Sequence, residues 1–347
     1  MIGTRIKQAR QAACLSLRQV SERISVSHTA VSKYERDELT PSSTTLNQLA
    51  KVLDVTVDYF LRPARIELTS IEYRSHKGFS EQLAARVIAD VSDQVERQLE
   101  VYDLLPGTLP DFHQPQLPKR IEDLDEIDAL ATKLREFWKL GLNPIPDLVD
   151  TLEERGVIVL VSDVFGANTF SGLSAWAGKV PVIIVSSEWP GDRQRFTACH
   201  ELGHLMLHGR LSEHIDEEKA CDRFAGAFLA PRPAVLSALG KSRKWLDYRE
   251  LMLLKDEYGL SMGAWLYRAK DCGVLTEGKA GQHFGFFRKR GWHEKEPSNY
   301  PSETPRRFPQ TVFRALGENI IGESKAMELL SAHRLDLVRL QTHVIGT

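Results

Sequence analysis

The hydrophobic and polar positions fall into two regimes. From Ile2 to Leu61 apolar residues recur at helical spacing in short blocks, which predicts helices over Ile2 to Ala13, Leu17 to Ile24, His28 to Arg36, Ser43 to Leu53 and Val57 to Leu61. Ser16 and Ser27 stand where the second and third begin and act as N-caps, and only Ser25-Val26 separates those two helices. That is the spacing of a helix-turn-helix. A longer stripe, Leu83, Val87, Val91, Val95 and Leu99, marks a connecting or dimerising helix over Ser80 to Tyr102. Four prolines between Leu105 and Pro118 then predict an extended link, and a further helix runs over Asp123 to Leu140.

Beyond Asn143-Pro144-Ile145-Pro146 the pattern changes. Gly156 to Val161 reads as a buried strand, and Leu173 to Ala177 with Val180 to Val185 reads as a hairpin turning at Gly178-Lys179. Two helices follow, one ending near Leu207 and one over Glu217 to Ala230 that Pro231 stops. Leu236 to Leu275 forms a small helical unit, in which Tyr258-Gly259-Leu260-Ser261-Met262 has the look of a second helix-turn-helix and otherwise serves as a lid or buttress. Aromatic and basic residues mix between His283 and Arg307, and Thr311 to Leu340 returns to an amphipathic helix that packs on this chain or on a second copy.

Chemistry is concentrated in His200-Glu201-Leu202-Gly203-His204. Histidines four apart on a helix face the same way, one turn from each other, and converge on one cation. A Zn²⁺ ion there acidifies water and polarises a carbonyl, while Glu201 takes the proton and passes it to the leaving amine. A metzincin would carry a glycine and a histidine where this chain has Leu207 and Arg210, so that class is excluded. His208 lies about 12 Å along the axis from His200 at ~1.5 Å per residue, too far to share one ion. Glu218 on the next helix becomes the third ligand, with Asp222 behind a ligating histidine as acceptor for its free ring N–H. Glu217 is the competing ligand, and acids at a helix start are also expected without any metal. Cys199 and Cys221 read as buried apolar fillers.

R-F-T-x-x-H-E-L-G-H-x-x-x-H, followed by E-K-x-x-D-R-F-A-G-A-F-L-x-P, resembles the ImmA/IrrE metallopeptidases over about residues 140 to 235. The resemblance implies a gluzincin-like fold, a zinc cofactor and a protein substrate such as a helix-turn-helix repressor. Many relatives read E-x-E-A where this chain has Glu218-Lys219-Ala220-Cys221, and the first glutamate is kept.

The N-terminal block resembles the Xre (Cro/CI-type) phage-repressor domain, through Val26 to Arg36, Thr40-Pro41-Ser42, Leu49 to Val55 and Asp58-Tyr59-Phe60. By that resemblance His28, Thr29, Ser32 and Lys33 face a double-stranded DNA operator, Ala30, Val31 and Tyr34 turn inward, and Arg10, Arg18 and Arg36 are candidate phosphate contacts. Leu17 departs from the polar residue that several such repressors place there. Dimers are common in that family, so self-association into a homodimer is expected.

Charge agrees with a nucleic-acid surface. Residues 1–65 hold ten Lys/Arg against six Asp/Glu, a net +4, whereas the whole chain is −2 and the remainder therefore −6. With 347 residues and 42% hydrophobic content, two or three domains are expected. Four cysteines without paired spacing, no apolar leader and no apolar run near 18 residues predict a reduced, cytoplasmic protein without a membrane span. The expected fold is multidomain and mainly α: an all-α helix-turn-helix domain over 1–65, a helical connector over 66–122, an α+β gluzincin-like peptidase domain over 123–235 and a mainly helical region over 236–347. The function expected is a DNA-binding regulator whose zinc endopeptidase cleaves a repressor, an antitoxin-like partner or the chain itself. The alternative is a non-catalytic repressor or antitoxin of a toxin–antitoxin-like module, in which the zinc is structural or sensory.

Overall fold

A computed structural model describes residues 2–62, 66, 68–75, 81–162 and 170–330. The chain divides into two compact units, one made of Met1–Thr69, His76–Thr108 and Phe308–Thr347, the other of Ser70–Ser75 and Leu109–Arg307.

In the first unit, α1 (Ile2–Ala12), α2 (Leu17–Ile24), α3 (His28–Glu35), α4 (Ser43–Leu53) and α5 (Val57–Leu61) follow one another closely. Local chemistry sets their limits. The Ser16 side chain accepts from Gln19 N–H while the Gln19 side chain accepts from Ser16 N–H, and Ser27 and Ser42 cap α3 and α4 through Ala30 and Thr45 N–H. Ser25 takes the left-handed conformation at φ 56°, which turns the chain from α2 into α3. Ile6, Val20, Val31, Leu49 and Phe60 are fully buried between the helices. Gly3 lets α1 reach the end of α3, because a Cβ there would lie 2.3 Å from the Tyr34 carbonyl oxygen.

The apolar stripe of α6 (Glu81–Leu104) is used inside this unit. Val87, Val91 and Val95 are fully buried, α1 packs on the helix, and buried Arg5 pairs with Glu96. The chain returns to the same unit with α15 (Arg307–Gly317) and α16 (Glu323–Leu330). Ala326 and Leu329 of α16 are buried, Lys325 pairs with Glu100 at 2.7 Å, and Arg97 donates to the Leu329 carbonyl at 2.7 Å. The expected C-terminal helix is thus two helices up to Leu330; its stretch from 331 to 340 lies outside the described residues.

The second unit is built on a sheet of β1 (Leu68–Ser75), β2 (Ile158–Ser162), β3 (Phe170–Ala177) and β4 (Val180–Ser186), in the order β1-β3-β4-β2. β3 and β4 form the expected hairpin, antiparallel from Gly172↔Val185 to Ala177↔Val180, with Gly178 at φ 62° in the turn. β2 runs parallel to β4, from Ile158↔Val182 to Ser162↔Ser186. Val182 to Val185 are all buried, the run expected of a strand covered on both faces.

Helix α9 (Gly191–Leu207) lies on β3 and β4, α10 (Glu217–Leu229) packs on α9, and α7 (Leu124–Phe137) packs on α10. The remaining helices are α8 (Leu148–Glu154), α11 (Arg232–Leu239), α12 (Tyr248–Tyr258), α13 (Met262–Asp271) and α14 (Glu277–Lys289). The turn between α12 and α13 is a buttress: Leu260, Met262 and Trp265 are fully buried in the same core as Leu202, Phe224 and Phe228. Buried charges fix the frame around α9. Lys255 pairs with Asp192 and Glu296, while Glu303 pairs with Arg195 and accepts from the Leu148 and Val149 N–H groups that open α8. Arg135, its pKa lowered by burial to about 10, donates only to carbonyls, those of Gly141, Asn143 and Phe228.

Candidate metal centre and helix-turn-helix surface

Helix α9 is buried along almost its whole length, and its two long faces differ in chemistry. Cys199, Leu202 and Met206 enter the core, while His200, Glu201 and His204 meet the start of α10. His200 and Glu201 are fully buried and His204 nearly so. Asp216 caps α10 by accepting from Lys219 N–H, which fixes the first turn carrying Glu217 and Glu218. The helices touch at Gly203, where a Cβ would stand 3.2 Å from Cys221 Cα, so a side chain at this point would push them apart.

The histidine Nε2 atoms lie 3.2 Å apart. Glu218 brings Oε2 to 3.4 Å from His200 Nε2 and Oε1 to 3.3 Å from His204 Nε2. Donors about 2.0–2.1 Å from a tetrahedral ion are about 3.3–3.4 Å from one another, so this triangle has the size of a zinc site. Behind the rings, His200 Nδ1 is 2.8 Å from Asp222 Oδ1 and His204 Nδ1 is 3.4 Å from Glu217 Oε1. An acceptor at Nδ1 puts the ring proton there and leaves Nε2 as the donor atom. Burial opposes charge on His204, but Glu218, Glu201 and Glu217 outweigh it and raise its pKa to about 9. The hydrogen bonds from His200 and His204 hold the Glu218 carboxyl far below the usual carboxylate range.

A cysteine also belongs to the cluster. Nitrogen donors of His200 and His204 and the Cys221 sulfur all lie within 4.8 Å of one another. The reading of Cys221 as an inert filler is therefore corrected, because it stands against Gly203 beneath the histidines. Cys199 is fully buried on the core face of α9. Burial, reinforced for Cys221 by the surrounding carboxylates, pushes both thiols upward, so each is protonated in the absence of a metal. His208 ends α9 exposed, with Nδ1 4.0 Å from Glu217.

Glu201 is positioned by a strand. A Cβ on Gly172 of β3 would lie 2.8 Å from Glu201 Oε1 and 2.5 Å from Thr197 Cγ2, so glycine alone lets the strand rest on this carboxylate.

On the first unit, α3 presents His28, Thr29, Lys33 and Arg36 to solvent with Ser32 half-buried, while Val31 and Tyr34 are buried. Arg18 is exposed and pairs with Glu22 at 3.0 Å. Arg36 donates to the Ser32 carbonyl and pairs with Glu38 at 3.2 Å. Arg10 is not available to a phosphate: it holds Glu35 through two bonds of 2.5 and 3.0 Å and also donates to the Leu15 carbonyl.

Comparison with known proteins divides the chain in the same way. Residues 6–60 match the helix-turn-helix family, and residues 153–270 match the family described as IrrE N-terminal-like domain. An Xre-type helix-turn-helix domain is fused here to an IrrE-like peptidase domain. The helix-turn-helix segment is 35% identical over 60 residues to the HTH-type transcriptional regulator ImmR of Bacillus subtilis, covering 17% of this chain and 47% of that protein. It is 39% identical over 59 residues to an uncharacterized transcriptional regulator in the ATPase CF(0) region of Rhodospirillum rubrum, covering 17% of this chain and 55% of that one. The chain thus spans about half the length of the curated relatives it matches. The IrrE-like match contains β2 to β4, α9, α10 and most of α13, and so includes the histidines, Glu201, Glu218 and Cys221. Two functional features escaped the sequence. Cys221 carried a usable signal, three residues after Glu218 and therefore on the same side of α10; the contact of Gly172 with Glu201 carried none.

Proposed function

We propose that the protein is a DNA-binding transcriptional regulator whose IrrE-like domain is a zinc-dependent endopeptidase acting on a regulatory protein: a repressor, an antitoxin-like partner or the chain itself. The observation that carries this reading is the triangle of His200, His204 and Glu218 donors, of tetrahedral size, with the Glu201 carboxylate on the adjoining position of α9. In this reading His200, His204 and Glu218 hold the metal, and Asp222 and Glu217 fix the ring tautomers. A zinc ion there supplies a Lewis acid for the scissile carbonyl and acidifies water. Glu201, pressed against Gly172 and shielded from bulk solvent, accepts a proton from the attacking water on a carboxylate oxygen and returns it to the leaving nitrogen. On the other domain, His28, Thr29, Ser32 and Lys33 read base edges of an operator and Arg36 holds its backbone, with two copies of the chain engaging two half-sites. We place the protein in the cytoplasm, where free cysteines and a DNA partner are at home. No described helix is long and apolar enough to cross a membrane.

Expression of the wild type and of Glu201→Gln in the same cells tests the reading. The substrate protein disappears with the first and persists with the second, while both purified proteins bind one zinc. Equal loss of the same protein with either would refute it.

Cys221 favours one second reading. A thiolate as a further donor beside His200, His204 and Glu218 would close the coordination sphere, and a closed zinc site is structural or sensory. Under that reading Cys221→Ala loses zinc affinity and operator control; under the peptidase reading it keeps both.

A further inference from the structure

β3 has two edges. One is paired with β4 between Gly172 and Ala177, and the other with β1, the end strand of the sheet. Gly172, where β3 rests on Glu201, therefore lies next to a strand that comes from a distant part of the chain. A strand added to a sheet runs about 4.8 Å from its neighbour, so a polypeptide on the outer edge of β3 passes directly beside the Glu201 carboxylate. The opposite border of the sheet, the outer edge of β2, is about 10 Å farther away, two strand spacings beyond β3. Extended polypeptides dock on sheet edges through their backbone, which suits an enzyme that must grip a main chain.

Residence of β1 at this edge is weakly supported. Among its side chains that the structure describes, Leu68 is buried, Ile71 is half-buried, and Thr69 and Ser70 are exposed, whereas Val182 to Val185 of β4 are all buried. Ser70 has φ 48°, a left-handed conformation that costs a residue with a side chain and interrupts a strand. It also stands where the chain passes from the first unit to the second.

We propose that the outer edge of β3 is the docking site for the backbone of an extended polypeptide, and that β1 is a resident strand which such a polypeptide displaces. The displaced strand returns when the polypeptide leaves, so access to Glu201 is set by competition between the chain's own segment and a foreign one. The purpose of the exchange rests on the peptidase reading; the exchange itself does not.

The test uses full-length, zinc-loaded Glu201→Gln and a fluorescein-labelled peptide with the sequence of Leu68 to Ser75. Fluorescence anisotropy compares this parent with the same protein carrying Ile71→Pro and Glu72→Pro. N–H groups of consecutive strand residues point to opposite sides, so one proline removes a donor aimed at β3 whatever the register. A tethered strand competes at an effective concentration on the order of millimolar, and its removal is expected to tighten peptide binding at least tenfold. Hydrogen exchange on the parent alone gives an independent readout. Saturating peptide should speed exchange of the 70–75 amides at least tenfold while those of 172–176 stay protected. Equal affinity for the two proteins, no binding to either, or β1 amides that remain protected with peptide bound would each overturn the proposal. An inert zinc site, seen as no cleavage by the wild type, refutes the peptidase reading and leaves these measurements unchanged.

Discussion

Replacing Asp222 by asparagine changes the charge behind His200 and almost nothing else. The carboxylate sits 2.8 Å from His200 Nδ1, the distance of a charge-assisted hydrogen bond, and keeps the proton on that nitrogen so that Nε2 faces the metal. Loss of such a partner typically lowers metal affinity 10- to 100-fold. Asp222 is 45% exposed, so water screens part of its charge and the lower end applies: about tenfold, or about 1.4 kcal/mol. Glu217→Gln is the internal comparison. Its oxygen is 3.4 Å from His204 Nδ1, at the outer limit of a hydrogen bond, and a loss below about threefold is expected. Zinc affinity is measured by competition with a chromophoric chelator at fixed pH, with circular dichroism showing that both variants are folded. Control of pH matters because His204, with a pKa near 9, carries a proton at neutral pH that zinc must expel. Apparent affinity should therefore rise with pH until about 9. An Asp222→Asn protein that binds zinc within twofold of the wild type, or a larger loss in Glu217→Gln, would refute the assignment of the bridge.

Gly172→Ala puts a methyl group 2.8 Å from Glu201 Oε1, and Glu201 must retreat by about 0.6 Å to reach ordinary contact; displacement of this order is expected to lower kcat/KM about tenfold or more while zinc affinity stays the same, as a peptidase assay with parallel zinc titration would show. Tyr59 has its pKa pushed up to about 12, chiefly by burial, so it stays neutral in the folded state while the unfolded chain ionises near 10. Stability from this group is complete below pH 10 and is lost through pH 12, by roughly 3 kcal/mol, and thermal melts should show that Tyr59→Phe flattens this alkaline slope. Arg10→Ala leaves the buried Glu35 carboxylate without its bidentate partner and should destabilise the helix-turn-helix unit by about 2–4 kcal/mol in urea titration. Operator affinity measured where that variant is still folded should not change; a marked loss there would restore Arg10 as a phosphate contact.

The parts of the fold that were legible are those written in neighbouring residues. Serines 16, 27 and 42 announce their helices through local caps, the hairpin of β3 and β4 is signalled by apolar runs around Gly178-Lys179, and His200, Glu201 and His204 share a face through spacing alone. What stayed hidden depends on residues far apart in sequence. β1 pairs with a strand about a hundred positions later and bears no alternation that would reveal it. The same holds for Arg10 with Glu35, for Glu303 with Arg195 and for α16 with α6, each made by groups whose partner is named nowhere in the local pattern. Cys221 was misread for a different reason: burial and metal proximity favour the same small, apolar-looking side chain.

The return of α15 and α16 to the unit of the helix-turn-helix means that Thr108 and Phe308 belong to one body while everything from Leu109 to Arg307 belongs to the other. The catalytic unit is thus a long excursion from a body that closes behind it. A single cut between residues 109 and 307 would leave α1 to α6 gripping α16 through Lys325, Glu100, Arg97 and the Leu329 carbonyl. Such a cut nicks the molecule without shedding its DNA-reading half. Denaturing gels would show two fragments where size-exclusion chromatography shows one particle, so a cleaved chain and a released domain are separate events in this architecture.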